Sequence, residues 1–156
     1  RFMMLNRSND VELDFDFDKV LEKSKENPVF YVQYAFARIS SLFRSIDKDF
    51  NDEIILKPDQ LKLNNNEIKI LRKVFEWPKI IETASLKYEP HRIPYYLYEL
   101  STLFHSYWSM GNENQNYRFI KEGKIRSTGT LTIIILISIV IQRGMNILGV
   151  SLPDRM

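Results

Sequence analysis

NPVFYVQYAFAR, running from Asn27 to Arg38, opens a helix and decides which of its faces turns inward. Asn27 has a side chain that accepts a hydrogen bond from a free first-turn amide, and Pro28 sits where a missing N–H costs nothing, so the helix is expected to begin here. Val29, Val32, Phe36, Ile39 and Phe43 recur at three- and four-residue steps and form one apolar stripe that carries the helix to about Ile46. Tyr31, Gln33, Tyr34 and Arg38 fall off that stripe. They are available to a ligand or to a neighbouring helix.

Upstream of this helix, acids and apolar residues alternate from Asn9 to Asp18, which by period alone reads as a short strand or extended arm. The aspartates do not make a calcium loop, because Lys25 stands where the closing glutamate would be needed. Asp16 or Asp18 instead suits the cap of a short helix reaching about Lys25. Downstream, a polar stretch runs through Asp59 and Asn64 to Asn66, where an asparagine is placed to cap a helix carrying Ile68, Leu71 and Phe75. Trp77 and Pro78 end that helix, and Ile80, Ile81, Ala84 and Tyr88 continue at helical spacing, giving two helices that meet at a proline corner. Glu89 and Pro90 open another long helix over about 90–110, with the stripe Ile93, Leu97, Leu100, Phe104 and Tyr107, ended by Gly111 and a run of Asn and Glu. Arg118, Lys121, Lys124 and Arg126 then fall in a loop of net charge +3. The β-branched run Leu131 to Ile141 has strand propensity. No other convincing strand is present to pair with it, and a lone central strand would leave its amides unsatisfied.

The chain has 156 residues, enough for one domain with a real core, and its 44% apolar content argues against disorder. Its 13% of aromatics exceeds what an aliphatic core needs, so some are expected at the surface. With 22 Lys and Arg against 20 Asp and Glu, the net charge of +2 excludes a grip on duplex nucleic acid by bulk charge. Any nucleic-acid site must be a local patch. The absence of cysteine removes disulfides and thiolate zinc sites. Leu131 to Ile141 is about half a bilayer span and is expected to be buried in the fold, with no membrane partner.

Residues able to do catalysis are scarce. His91 and His105 lie fourteen positions apart on one expected helix, about 21 Å along its axis, and share neither a metal nor a proton. No Gly-rich phosphate loop occurs, and neither a catalytic nor a metal-binding residue set is expected. The residues suited to binding are different. Tyr31, Tyr34 and Arg38 and the later Tyr95, Tyr96, Tyr98, Tyr107 and Trp108 are of the kind on which unpaired RNA bases stack, and the basic loop of the kind that meets phosphates. Each alone is equally consistent with a tyrosine closing a core or a solvated basic loop.

The block NPVFYVQYAFAR resembles the helix that opens the anticodon-binding domain of arginyl-tRNA synthetases. Three further blocks in matching order, RFMMLNRSNDVELDFDFDKV, EPHRIPYYLYELSTLFHSYW and RGMNILGVSLPDRM, extend the likeness over most of the chain, with Arg1 as the last residue of the family's Asp-Ala-Leu-Arg signature. The resemblance implies an all-α fold, an antiparallel bundle of about five or six helices of the class I synthetase anticodon-binding type, with a helix over about 128–148. It implies one domain over 1–156, a fragment of a longer chain. The arginine at position 1 and the lack of signal or catalytic motifs fit that expectation, since Lys23, Ser24 and Lys25 echo the family's mobile loop only superficially.

By the same likeness the function is recognition of the tRNA(Arg) anticodon loop, in a cytoplasmic, monomeric ligase whose own catalytic domain uses ATP and magnesium; this fragment needs no cofactor. Carried over by position, Tyr34, Trp108 and the terminal Met156 hold the loop, with Tyr31, Gln33, Arg38, Tyr107, Lys121, Lys124 and Arg126 as further candidate contacts. Phe36 and Thr130 depart from the family's usual histidine and arginine. Phe36 is absorbed by the core stripe, whereas Thr130 implies a lost polar contact. Alternatives are the helical anticodon domain of a cysteinyl enzyme or of a glycyl β subunit, and a helical protein-interaction domain whose aromatics form a hot spot.

Overall fold

The computed structural model describes residues 1–8, 11–12, 16–46 and 63–156. Two short helices, α1 (Phe2–Leu5) and α2 (Phe17–Leu21), precede five longer ones: α3 (Pro28–Ser45), α4 (Asn65–Phe75), α5 (Trp77–Leu86), α6 (Arg92–Glu113) and α7 (Thr128–Ile147). Part of the acid–apolar alternation before α2, and most of the polar stretch between α3 and α4, lie outside the described residues.

The caps follow local chemistry. Asp16 Oδ1 accepts the Asp18 amide at 2.9 Å, though α2 ends at Leu21 instead of reaching Lys25. Asn27 accepts the Phe30 amide as expected, and its Nδ2 also donates to the carbonyls of Val20 and Glu22 at 2.8 Å, so one buried amide stops α2 and starts α3. The cap of α4 is Asn64 and not Asn66. Its side chain accepts the Asn66 and Glu67 amides while Glu67 Oε2 accepts the Asn64 amide at 2.9 Å, a reciprocal capping box. Pro78 in the first turn of α5 makes the corner, because its ring needs no amide partner there.

Of the expected α3 stripe, Val32, Phe36, Ile39 and Phe43 are buried and Val29 packs at the edge; on α6 the whole stripe from Ile93 to Tyr107 is buried. Tyr31 meets Tyr98, and Arg38 meets His105 and Trp108, so α3 and α6 run side by side in the same direction. Tyr96 Oη donates to the Lys73 carbonyl at 2.6 Å and Asn64 Nδ2 to Tyr107 Oη at 2.8 Å, which sets α4 antiparallel to α6. The long helices α3, α4, α6 and α7 thus alternate in direction along the chain, and the parallel pairs α3–α6 and α4–α7 pack as neighbours.

The β-branched run is helical. α7 is buried at Leu131, Ile133, Ile134, Ile137, Val140 and Ile141, against α3, α4 and α6. Its 20 residues satisfy the length and composition of a membrane span, yet this apolar surface is turned into the bundle. At Gly144 α7 comes close to α6: a Cβ there would lie 2.7 Å from Leu97 Cδ2, so the buried Leu97 side chain would have to move. Gly149, with φ of 65°, ends α7: its amide reaches the Asn146 carbonyl and that of Val150 the Met145 carbonyl, the paired bonds of a left-handed helix stop.

The expected basic loop is a hairpin. Strands β1 (Ile120–Lys121) and β2 (Lys124–Ile125) pair antiparallel across Glu122 and Gly123, both at positive φ. Two central residues of that conformation match the twist of the flanking strands, and Glu-Gly between Ile120-Lys121 and Lys124-Ile125 was the sequence signal. Behind the hairpin, Arg126 forms an ion pair with Glu67, which is 1% exposed, and donates to Tyr107 Oη at 2.9 Å and Thr130 Oγ1 at 2.8 Å. Thr130 donates in turn to Glu67 Oε1 at 2.9 Å. Arg126→Ala strands a buried carboxylate, and urea unfolding is expected to show a loss of about 3–5 kcal/mol.

Candidate nucleic-acid interface

Tyr34, Arg38, Ser41 and Arg44 follow one another at helical steps on the face of α3 that the core does not use. The last seven residues of the chain come back to that face. Val150 and Leu152 pack on the core, Gln33 Nε2 donates to the Ser151 carbonyl at 2.9 Å, and Arg44 Nη1 donates to the Asp154 carbonyl at 3.0 Å. Both bonds go to backbone carbonyls, so α3 holds the course of the tail without regard to its side chains. The result is a cleft of about 320 Å³ lined by Tyr34, Ala37, Arg38, Ser41, Arg44, Arg155 and Met156.

Arg38 is fixed in this cleft. Its guanidinium carbon lies 4.2 Å from the Tyr34 ring centre and 4.9 Å from that of Trp108, within cation–π range of both. Its Nη2 donates to Tyr34 Oη at 2.9 Å, and its Nη1 meets His105 Nδ1 at 3.1 Å. His105 Nε2 faces the Tyr31 carbonyl at 3.1 Å, which can only accept, so Nε2 carries the proton and Nδ1 accepts from Arg38. Burial first, and the Arg38 charge after it, hold the His105 imidazole down at about 4, against the raising effect of the Tyr31 carbonyl. The ring stacks on Tyr34, 5.4 Å away, and meets Tyr31, 4.4 Å away, at a tilt of 44°. Burial also raises the Tyr31 phenol.

The expected contacts therefore separate. Tyr34, Arg38 and Met156 share the cleft, and Trp108 stands on the other side of the Arg38 guanidinium. Tyr31 is half-buried behind them against Tyr98 and His105, and Gln33 is engaged by the tail. Tyr107 is 2% exposed with its hydroxyl committed to Asn64 and Arg126, so it has no face left for a base. Arg126 is the partner of buried Glu67, and Thr130 lies in the same network, so both are structural. Lys121 and Lys124 are exposed beside the hairpin turn, with Lys121 near Asn116. Sequence reading missed Ser41, Arg44 and Arg155. The first two were legible as the continuation of the Tyr34–Arg38 face; Arg155 depended on the path of the tail.

A helical bundle that lines its own chain end against a fixed guanidinium and stacked aromatics belongs to the class of small all-α recognition domains. The chain matches the DALR anticodon binding domain model over residues 32–156, and it belongs to that family. It is 57% identical over its whole length to the arginine–tRNA ligase of Pelagibacter ubique and 45% identical to that of Ruegeria pomeroyi, spanning 27% and 28% of those proteins. Among solved structures, a putative arginyl-tRNA synthetase from Campylobacter jejuni superposes with a TM-score of 0.83 at 25% identity, over 99% of this chain and 32% of that one. The Thermus thermophilus arginyl-tRNA synthetase shares the fold with a TM-score of 0.75 at 21% identity, over 99% of this chain and 25% of its own.

Two outcomes test this geometry. Since the folded pKa of His105 is depressed below the ordinary 6.5, its contribution to stability is complete above pH 6.5 and is lost as the pH falls towards about 4. NMR should accordingly show its imidazole neutral at pH 5.5. Arg44→Ala frees the tail, so affinity for a single-stranded RNA loop should fall with an unchanged salt slope; a slope shallower by about 0.7 would instead mark Arg44 as a phosphate contact.

Proposed function

We propose that this domain holds the anticodon loop of an arginine tRNA for a longer arginine–tRNA ligase whose catalytic part supplies the ATP- and magnesium-dependent chemistry in the cytoplasm. The observation that carries the reading is the meeting of Met156 with Tyr34 and Arg38. A chain end normally frays, and here two side chains of α3 hold its backbone beside an aromatic and a fixed cation. The cleft suits an unstacked base: Tyr34 supplies a ring, Met156 a deformable apolar wall, and Arg38 a fixed positive charge for a neighbouring phosphate, while Arg44 holds the tail in place.

The domain acts by positioning the tRNA, with no chemical step of its own. Discrimination of arginine anticodons would rest on the middle cytosine that they share, whose Watson–Crick edge is exposed once the base leaves the stack. Arginine is favoured over cysteine or glycine by the relatives, which are arginine–tRNA ligases over the full length of this chain.

Tyr34→Ala and Trp108→Ala should each weaken binding of an arginine anticodon stem-loop by about 1–3 kcal/mol, with the helical circular dichroism retained. A stem-loop with a changed middle base should bind the parent chain more weakly than the arginine loop. Equal affinity for the two loops would remove anticodon reading from this domain.

A further inference from the structure

We infer that a second cleft, on the far side of Trp108, receives one further unstacked nucleobase of pyrimidine size from the same RNA loop; this rests on the anticodon-loop reading above. The cleft measures about 170 Å³ and is lined by Leu42, Trp108, Gly111, Asn112, Arg118, Phe119 and Ile120. A cavity of about 150 Å³ accommodates a benzene ring, so this one has room for a single six-membered ring. Its walls are mostly apolar and aromatic: the Trp108 ring packs on buried Phe119, with centroids 5.8 Å apart and the planes tilted by 45°, and the partly exposed Trp108 is the ring on which a base can stack.

The polar groups stand at the edge. Asn112 is exposed and offers both a donor and an acceptor to a base edge. Arg118 donates through Nε to the Gly111 carbonyl at 3.0 Å, which anchors its guanidinium at the mouth, where the phosphate beside an inserted base would pass. At Gly111 the backbone of the segment leading to Phe119 comes close to α6: a Cβ there would sit 3.3 Å from Arg118 Cα, a tight contact that would press this wall of the cleft outward.

Trp108 lines this cleft and not the one that contains Tyr34 and Met156, and the Arg38 guanidinium stands between the Tyr34 and Trp108 rings. The interface is thus two adjoining receptacles divided by a fixed charge. A loop that places one base beside Tyr34 brings the next within reach of Trp108.

The test is a methyl-NMR titration of the chain with an arginine anticodon stem-loop, following Met156 for the first cleft and Leu42 and Ile120 for the second. All three are expected to shift. In Asn112→Trp, where an indole fills the mouth, Met156 should still shift, Leu42 and Ile120 should no longer respond, and affinity should fall on the order of tenfold. Shifts at Met156 without shifts at Leu42 and Ile120 in the unaltered chain overturn the second receptacle and leave the first reading standing, as does an Asn112→Trp chain that binds as tightly as its parent. No shift at any of the three overturns both.

Discussion

Glu67 is the constraint around which the bundle is assembled. A carboxylate with 1% of its surface exposed is tolerable only if every lone pair is met, and here one oxygen closes the capping box of α4 while the other faces Arg126 and Thr130. Arg126 comes from the end of the hairpin, Thr130 from the first turn of α7, and Tyr107, which shares Arg126, from α6. A single buried charge thus fixes the position of four elements, and it does so with directional bonds that apolar contacts alone do not supply. Thr130 at the first turn of α7 is explained by the same network. A threonine hydroxyl there donates to Glu67 and accepts from Arg126, a role that needs a short side chain.

The second polar cluster links fold and interface. His105 belongs to the buried face of α6, yet through Nδ1 it orients Arg38, and Arg38 orders the rings of Tyr34 and Trp108. A neutral imidazole is what this task requires, because a proton on Nδ1 would face the guanidinium. The surface cation is in this way preorganised from the core, which lowers the entropy lost when a ligand orders it. The tail is treated alike: Gln33 and Arg44 seize backbone carbonyls, so a segment with little core of its own follows a set path across α3.

Much of this was legible in local sequence. Asn27 and Pro28 marked the start of α3, the apolar stripe of α6 and all of that of α3 but Val29 proved buried, and the proline corner fell between Phe75 and Trp77. These features depend on bonds within a few residues and on periodicity. The hairpin left only its Glu-Gly turn as a local signal, since strands of two residues carry no alternating pattern that would set them apart from a loop. For α7, β-branched propensity pointed to a strand, and helical placement came from the family likeness together with the lack of a partner strand. Packing against α3, α4 and α6 overrides a propensity difference of a few tenths of a kcal/mol per residue.

The sequence by itself determined where most helices begin, which residues face inward, and to which domain family the chain belongs, because caps, periodicity and motif are all properties of neighbours along the chain. Only the tertiary structure decided the fate of the polar side chains. Tyr107 and Arg126 looked like surface contacts and became internal, while Arg44 and Arg155, unnoticed in the sequence, joined Tyr34 and Met156 in one cleft. The physical reason is that the environment of a polar group is set by partners distant in sequence: Glu67 is 59 residues from Arg126, and Arg44 is 110 from the carbonyl it holds.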